Sequence, residues 1–365
     1  MRDKPLPTSR LGRLGRLALL GGRITGGKLA SLVGGKPEAK LASVASEALG
    51  QMRGLALKVG QMASYVDGMV PEEHRDTYER SMASLRAAAP TMSPEAARRV
   101  VVEELGAPPE ELFARFEVEP FAAASIGQVH RAELKEGRSV VVKVQFEGVE
   151  RAVESDLGNV SLFGALLGPI GSKFGMEEQL AEVRARFLEE LDYRHEAKQQ
   201  QRFRAAMADD PKIRIPAVIE ELSSKRVMTS ELATGVSFER ACEASEPERR
   251  AWAETLWRFV FGGLLHHGLF NADPHPGNYL FREDGVIDFL DFGCTRELPA
   301  KRVEQVRMAH RAANAGDLGA LSDAAMLMFE IPADGRMAEF ARPYVQKCFS
   351  PFSTPGPFTM TRAFA

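Results

Sequence analysis

Long apolar runs are missing from this 365-residue chain. No stretch approaches the ~18 consecutive hydrophobic residues that a bilayer-crossing helix needs, so no segment is expected to span a membrane. Cysteine is scarce: Cys242, Cys294 and Cys348 lie far apart and form no metal-ligand spacing. That excludes a disulfide scaffold and points to a reducing compartment. An excess of one charge is also lacking. The net charge is −3, which gives no global electrostatic reason to expect nucleic acid as a partner. No internal repeat is present. What remains is a chain of ordinary globular composition, 44% hydrophobic and 27% charged, long enough for two or three lobes with sizeable cores.

The charge is unevenly placed. Residues 1–40 carry nine Lys/Arg against Asp3 and Glu38, a local balance of +7, within the Leu- and Gly-rich run "LGRLGRLALLGGRITGGKLASLVGG". This composition suits a membrane-surface segment or an organelle presequence, and equally a disordered basic tail. Helical spacing then runs over 37–66. A second helix starts near Pro71, with acidic residues in its first turn. A third, "SPEAARRVVVEEL", has Ser93 as N-cap and Pro94 at its first position. Residues 41–115 therefore read as a helical extension after the basic segment 1–40.

From 116 the period changes. "FEVEPF", "IGQVHRAEL" and "SVVVKVQF" are short β-rich runs, the last two joined by the turn "KEGR". A long helix is expected over about 177–209, followed by strands in "IRIPAVI" and "KRVMTSEL". Five strands and one helix make a first lobe over 116–233. The second lobe, 234–365, is mainly helical and is broken by a small hairpin in "NYLFREDGVIDFLDFG". The fold class expected is α+β, bilobal and protein-kinase-like, behind an all-helical extension.

The chemistry concentrates in "NADPHPGNYLFREDGVIDFLDFG". Asp273 and Asn278 are five apart, and Asp291, opening Asp-Phe-Gly, follows Asn278 by thirteen. Kinase-type phosphotransfer uses this spacing. A carboxylate orients or deprotonates the attacking hydroxyl, while an amide oxygen and a second carboxylate are hard ligands for Mg²⁺ on the phosphates. Asp288, three residues before Asp291, competes for the metal; the spacing and the Phe-Gly that follows favour Asp291. Upstream, Lys143 in a β-rich run is placed to meet inner phosphates. "FLEELDYRHEAKQQ" offers it a partner from Glu189, Glu190, Asp192 and Glu196. Read as one helix, Asp192 and Glu196 share a face. The turn before Lys143 is short of glycine: Ala122, Ala123, Ala124 and Ser125 precede the single Gly127. Alanine narrows the backbone freedom that glycine gives a phosphate loop, so this loop is expected to hold phosphates in a different pose and to restrain phosphotransfer.

The motifs "ALKVGQMAS", "FAAASIGQVH", "VVVKVQ", "EELDYRHEA", "NADPHPGN" and "LDFG" resemble the UbiB-like atypical kinases, a protein-kinase-like family tied to ubiquinone biosynthesis. The form "MRGLALKVGQM" is most similar to its coenzyme-Q accessory branch. The resemblance implies roles residue by residue. Lys58 and Gln61 belong to an extension helix that covers the active site and reaches the nucleotide. Glu190 and Asp192 form the family's Glu-x-Asp pair, and Glu196 is the partner of Lys143. Asp273 takes the catalytic position, and Asn278 and Asp291 bind metal. Glu231, Leu232 and Ala233 in "TSELATG" form the interlobe segment whose backbone meets adenine. Asn271 departs from the pattern, standing where many members have His, and "FEGV" replaces the usual Pro-Gly-Val.

The resemblance implies an atypical kinase or ATPase that binds ATP or ADP with Mg²⁺ and serves isoprenoid quinone metabolism. It would act on or with a lipid or small molecule at an anionic membrane surface, either alone, as a homodimer or with quinone-biosynthesis proteins. The expected compartment is the cytoplasmic face of the inner membrane in a bacterium and the mitochondrion in a eukaryote. Two other classes stay open: a protein kinase, and a nucleotide-gated lipid-binding scaffold without turnover. The chain re-enters a helix about six residues after Asp-Phe-Gly, with no Ala-Pro-Glu element, which argues against a docked protein substrate.

Overall fold

The computed structural model describes residues 91–124, 126–151, 185, 188–332, 335–356, 358 and 359. The helices expected over 37–66 and from Pro71 lie outside these residues. Two compact units divide the chain: residues up to Gln201 with Pro216–Ala233, and Arg202–Ile215 with Thr234 onward.

The first unit opens with α1 (Pro94–Leu105), built as its sequence dictates. The Ser93 side chain accepts from the Ala96 N–H, Pro94 takes the first turn, and Gly106 at φ 78° closes the C-terminus. A short turn, α2 (Pro109–Leu112), leads into a sheet. Strands β1 (Arg115–Phe116), β2 (Ala122–Ala123), β3 (Gly127–Glu133) and β4 (Ser139–Gln145) come first in the chain. Then come α3 (Tyr193–Ala206), β5 (Ile213–Arg214) and β6 (Val227–Glu231). β3 pairs antiparallel with β1, β2 and β4, and β4 pairs with β6, making five strands. The turn between β3 and β4 is closed by Leu134 and Arg138, with Gly137 at φ 88°.

Alternation along β4 buries Val140, Val142 and Val144 completely. They pack in one core with Ala96, Ala97, Val100 and Val101 of α1 and Val227 and Met228 of β6. Each buried aliphatic side chain contributes about 1.5–3 kcal/mol of transfer free energy. Arg226 fastens the helix to the sheet, reaching Glu104 at 2.6 Å and Glu103 at 2.7 Å. Burial works against the Glu104 carboxylate, but hydrogen bonds from Arg226 and Ser224 outweigh it and hold its pKa below the ordinary range.

One strand expected in the first lobe belongs elsewhere. Within "IRIPAVI", Ile213–Arg214 forms β5, which pairs parallel with a strand of the second unit. Residues after it return to the first sheet as an isolated bridge, Val218 to Ser230, rather than as a strand. Pro216 lacks an N–H and cannot extend a ladder through this run. The fifth strand of the first sheet is β2, drawn from the alanine loop itself.

The second unit contains α4 (Phe238–Cys242) and α5 (Glu246–Gly262), the latter opened by a Ser245/Glu248 capping box. A π-helical turn, Gly263–His267, and Gly268 at φ 67° turn the chain into β7 (Leu269–Asn271). The expected hairpin forms from β8 (Tyr279–Phe281) and β9 (Ile287–Phe289). With β5 it makes a three-stranded sheet. After Asp-Phe-Gly, β10 (Thr295–Glu297) pairs back to β7 before α6 (Ala300–Asn314), α7 (Leu318–Phe329) and α8 (Arg336–Ser353). The core of the loop region is aromatic. Phe259 stacks on Phe289 at 3.8 Å between centroids, and Phe292 sits 5.2 Å from Phe203.

Candidate functional site

In the first unit, β4 and α3 bring Lys143 and Glu196 together in a charge-assisted hydrogen bond. Lys143 points out of the valine-packed strand, and Glu196 stands in the first turn of α3. The Lys143 ammonium also lies 5.8 Å from the Tyr193 ring centroid. Both side chains are mostly shielded from water, so each charge depends on its partner.

The acidic run before Glu196 departs from the single helix expected. The chain breaks at Leu191–Asp192, and α3 begins at Tyr193. Asp192 therefore does not share a helical face with Glu196. It sits at the start, where its Oδ1 accepts from the Arg194 N–H at 3.0 Å and its carboxylate clasps the Arg194 guanidinium. Those bonds outweigh its desolvation and lower its pKa. Gln145 holds the break open by donating to Leu191 O at 3.0 Å. Glu189 and Glu190 precede the break, Glu190 half-buried. Lys58, Gln61 and Ser125 lie outside the described residues.

The alanine loop explains its own composition. Ala122 and Ala123 pair with Val129 and Gln128 as an exposed two-residue strand, and Ala124 N–H donates to Gly127 O. None of the three has positive φ, so this turn does not require glycine. Gly127 is required for a different reason. A Cβ there would lie 2.8 Å from the Tyr193 hydroxyl and closer still to Val144 O. Its smallness lets β3 and β4 approach at the base of the loop.

Behind the loop, Gln128 and His130 are fully buried. Gln128 Oε1 accepts from Met92 N–H at 2.8 Å, and its amide donates to His130 Nε2 at 2.9 Å. His130 Nδ1 then donates to Glu117 O at 2.9 Å. Burial lowers the His130 pKa despite the bond to Glu117. Further along, Glu231 and Leu232 spend their N–H groups on Ala217 O and Ser139 O. The Glu231 carboxylate accepts from Ala217 N–H. Ala233 makes no backbone hydrogen bond among the described residues.

The second unit organises Asp273, Asn278 and Asp291 through three side-chain bonds. Asn278 Nδ2 donates to Asp273 O at 3.2 Å, which leaves its Oδ1 as the acceptor. His275 Nδ1 accepts from Gly277 N–H and stiffens the Pro-His-Pro-Gly turn. Asp291 Oδ1 accepts from Gly293 N–H at 2.9 Å. Phe292 is buried in the aromatic core, anchoring Asp291 from the other side.

Asn271 is the residue whose role the sequence left unassigned. Its Nδ2 donates to Asp291 O at 2.9 Å while its Oδ1 accepts from Asp273 N–H at 3.1 Å. One amide thus ties the two candidate carboxylate loops to each other. The competitor Asp288 is committed elsewhere. It is buried on β9, accepts from Thr234 N–H at 3.3 Å, and faces Arg214 at 3.3 Å and Arg282 at 3.7 Å.

Comparison with known proteins follows the same residues. The ABC1 atypical kinase-like domain matches residues 84–322. The chain is 34% identical over 337 residues to rat (Rattus norvegicus) atypical kinase COQ8B, mitochondrial, covering 87% of this chain and 62% of the relative. It is 31% identical over 310 residues to atypical kinase COQ8, mitochondrial, of Saccharomyces cerevisiae, covering 81% and 61%. It therefore spans about three-fifths of the length of these relatives. Among solved structures, the Rv3197–erythromycin complex from Mycobacterium tuberculosis superposes with a TM-score of 0.55 at 32% identity, over 76% of this chain and 70% of that one. The fold is kinase-like, and the chain belongs to the ABC1 atypical kinase-like family.

Proposed function

We propose that this protein binds a Mg²⁺-nucleotide, ATP or ADP, and acts as an atypical kinase or ATPase in ubiquinone biosynthesis. The observation that carries the reading is the shielded Lys143–Glu196 pair, an arrangement that presents one fixed ammonium to anionic oxygens. The donor set suits the group it would hold. Asn278 Oδ1 and the Asp291 carboxylate are hard oxygens. Mg²⁺ held by these two would take its other ligands from phosphate and water. Bound Mg²⁺-nucleotide would supply the transferable phosphoryl group. Lys143 would hold the inner phosphates, Asp273 would orient or accept a proton from the attacking hydroxyl, and Ala233 would offer its backbone to adenine. Lys58 and Gln61 would belong to a lid over the site, with Glu190 and Asp192 as the acidic pair that Lys58 meets.

The acceptor on this reading is a lipid or small molecule. Only Cys294–Pro299 separate Asp-Phe-Gly from α6, and β10 within them is already paired to β7. That leaves little chain to dock a protein substrate. Among the described residues no helix is long and apolar enough to cross a membrane. The +7 segment 1–40 would draw the protein to anionic lipid, by up to about 1 kcal/mol per basic residue. The relatives' names place them in mitochondria; a peripheral position on an inner membrane is the proposal here. The test is ATP turnover with and without anionic liposomes and a quinone precursor, beside the quinone profile of a deletion strain. Turnover raised by liposomes and a depleted quinone pool are expected. Phosphate incorporated into a protein instead would favour a protein kinase, and nucleotide binding without turnover would favour a scaffold.

A further inference from the structure

A cavity of about 710 Å³ opens in the second unit and contains none of Asp273, Asn278 or Asp291. That volume falls within the ~300–1,000 Å³ of small-molecule pockets. Its floor is aromatic and rigid. Trp252 is buried, donates from Nε1 to Arg282 O at 2.7 Å, and meets Phe281 edge-on at 5.4 Å. Val236 and Val286 extend the apolar wall.

Two guanidiniums, Arg214 and Arg282, border this floor. Both reach the same oxygen, Oδ1 of Asp288, at 3.3 and 3.7 Å. Neither contact is a hydrogen bond, and this buried oxygen accepts none among the described residues. One carboxylate facing two guanidiniums leaves N–H donors of both without an acceptor among the described residues, although the lining as a whole, with Arg240, holds as many acidic as basic side chains. Arg214 is 57% exposed, and neither arginine side chain donates a hydrogen bond to another described residue. Their backbones are fixed: Arg214 is the β-register partner of Asp288, and Arg282 N–H bonds Val286 O. The cavity therefore sets unused guanidinium donors beside an apolar floor. Its rim is acidic, with Glu248, Glu283 and Asp284 exposed around it, which disfavours a polyanion.

We infer that this cavity binds a small amphiphile with a single anionic group, phosphate monoester or carboxylate, the anion on Arg214 and Arg282 and the apolar body on Trp252 and Phe281. Nucleotide is not needed for the site, so its test contains none.

The chain has two tryptophans, Trp252 and Trp257. In a full-length Trp257→Phe protein, Trp252 emission reports the cavity floor directly. Octyl phosphate and octanoate are titrated below their micellar concentrations, with octanol and inorganic phosphate as the two half-ligands. A saturable change in Trp252 emission is expected with one or both amphiphiles, at concentrations at least about tenfold below those of octanol or phosphate alone, as charge-assisted bonds would give. Which amphiphile is tighter identifies the anion. Arg214→Gln should weaken binding about tenfold while Arg282 still faces Asp288. If that variant fails to fold, Val236→Phe, which narrows the mouth and adds no second tryptophan, should abolish binding. No saturable change, equal potency of octanol, or unchanged binding in the folded Arg214→Gln or Val236→Phe protein would overturn the inference.

Discussion

Replacing Lys143 by methionine removes the cation from a pair whose side chains are only 16% and 9% exposed. The Glu196 carboxylate then stays shielded and loses the ammonium opposite it, a change that costs about 3–5 kcal/mol. At ~2–4 °C per kcal/mol for a unit of this size, the melting temperature should fall by about 10 °C. Neutralising Glu196 as well removes the stranded charge. Lys143→Met/Glu196→Gln should therefore recover most of the loss, with a coupling energy of about 2 kcal/mol or more. Urea melts of the wild type, the two single variants and the double variant, without nucleotide, measure it. An exposed ion pair would couple by only ~0.2–1 kcal/mol, and a value in that range would refute the argument that burial makes these charges interdependent. The double variant should nonetheless fail to bind nucleotide, because stability is restored without the ammonium. Nucleotide binding by the double variant would separate Lys143 from the phosphate role.

Other outcomes follow from individual residues. Gly127→Ala should destabilise the first unit by about 2 kcal/mol or more in thermal melts, since its Cβ meets backbone, whereas Ala123→Gly should leave the melt nearly unchanged and shift the ATP/ADP preference in calorimetry. Asn271→Ala should lower kcat about tenfold to a hundredfold with a melting temperature within a few degrees of wild type, because it loosens the tie between Asp273 and Asp291; an unchanged kcat would make the tie dispensable. Stability should fall as pH drops below about 6.5 and be flat above it. The unfolded chain binds the proton that folded His130, and folded His310, resist through burial. A His130→Asn variant should lose part of that slope in urea melts between about pH 5 and 6.5.

The parts of the fold legible in the sequence are those whose causes are local. Ser93, Pro94 and Gly106 mark both ends of α1, the valine alternation marks β4, and "KEGR" marks the turn before it. Spacing and the Phe-Gly that follows pointed to Asp291 over Asp288; that Asp288 faces Arg214 and Arg282 is visible only in the structure. What escaped depends on distant partners. "EELDYRHEA" is rich in helix-forming residues, so nothing local announces the break at Leu191; Gln145, 46 residues upstream, makes it. β5 is two residues long and acquires its strand only from Ile287 and Asp288, more than seventy residues downstream. Gly127 reads in the sequence as part of the alanine-rich phosphate loop; that it must also clear Val144 across the sheet is not visible there. Asn271 looked like a departure from a family pattern, and its two hydrogen bonds become visible only when both loops are in place.

The central proposal, Mg²⁺-dependent nucleotide binding through Asp291, is tested most directly by equilibrium binding of ATP and ADP to wild type and Asp291→Asn, each with and without Mg²⁺. The account predicts that Mg²⁺ tightens binding to the wild type by about tenfold or more, and that this dependence largely disappears in a folded Asp291→Asn protein. Full Mg²⁺ dependence retained in that variant, or no nucleotide binding by the wild type, would contradict it.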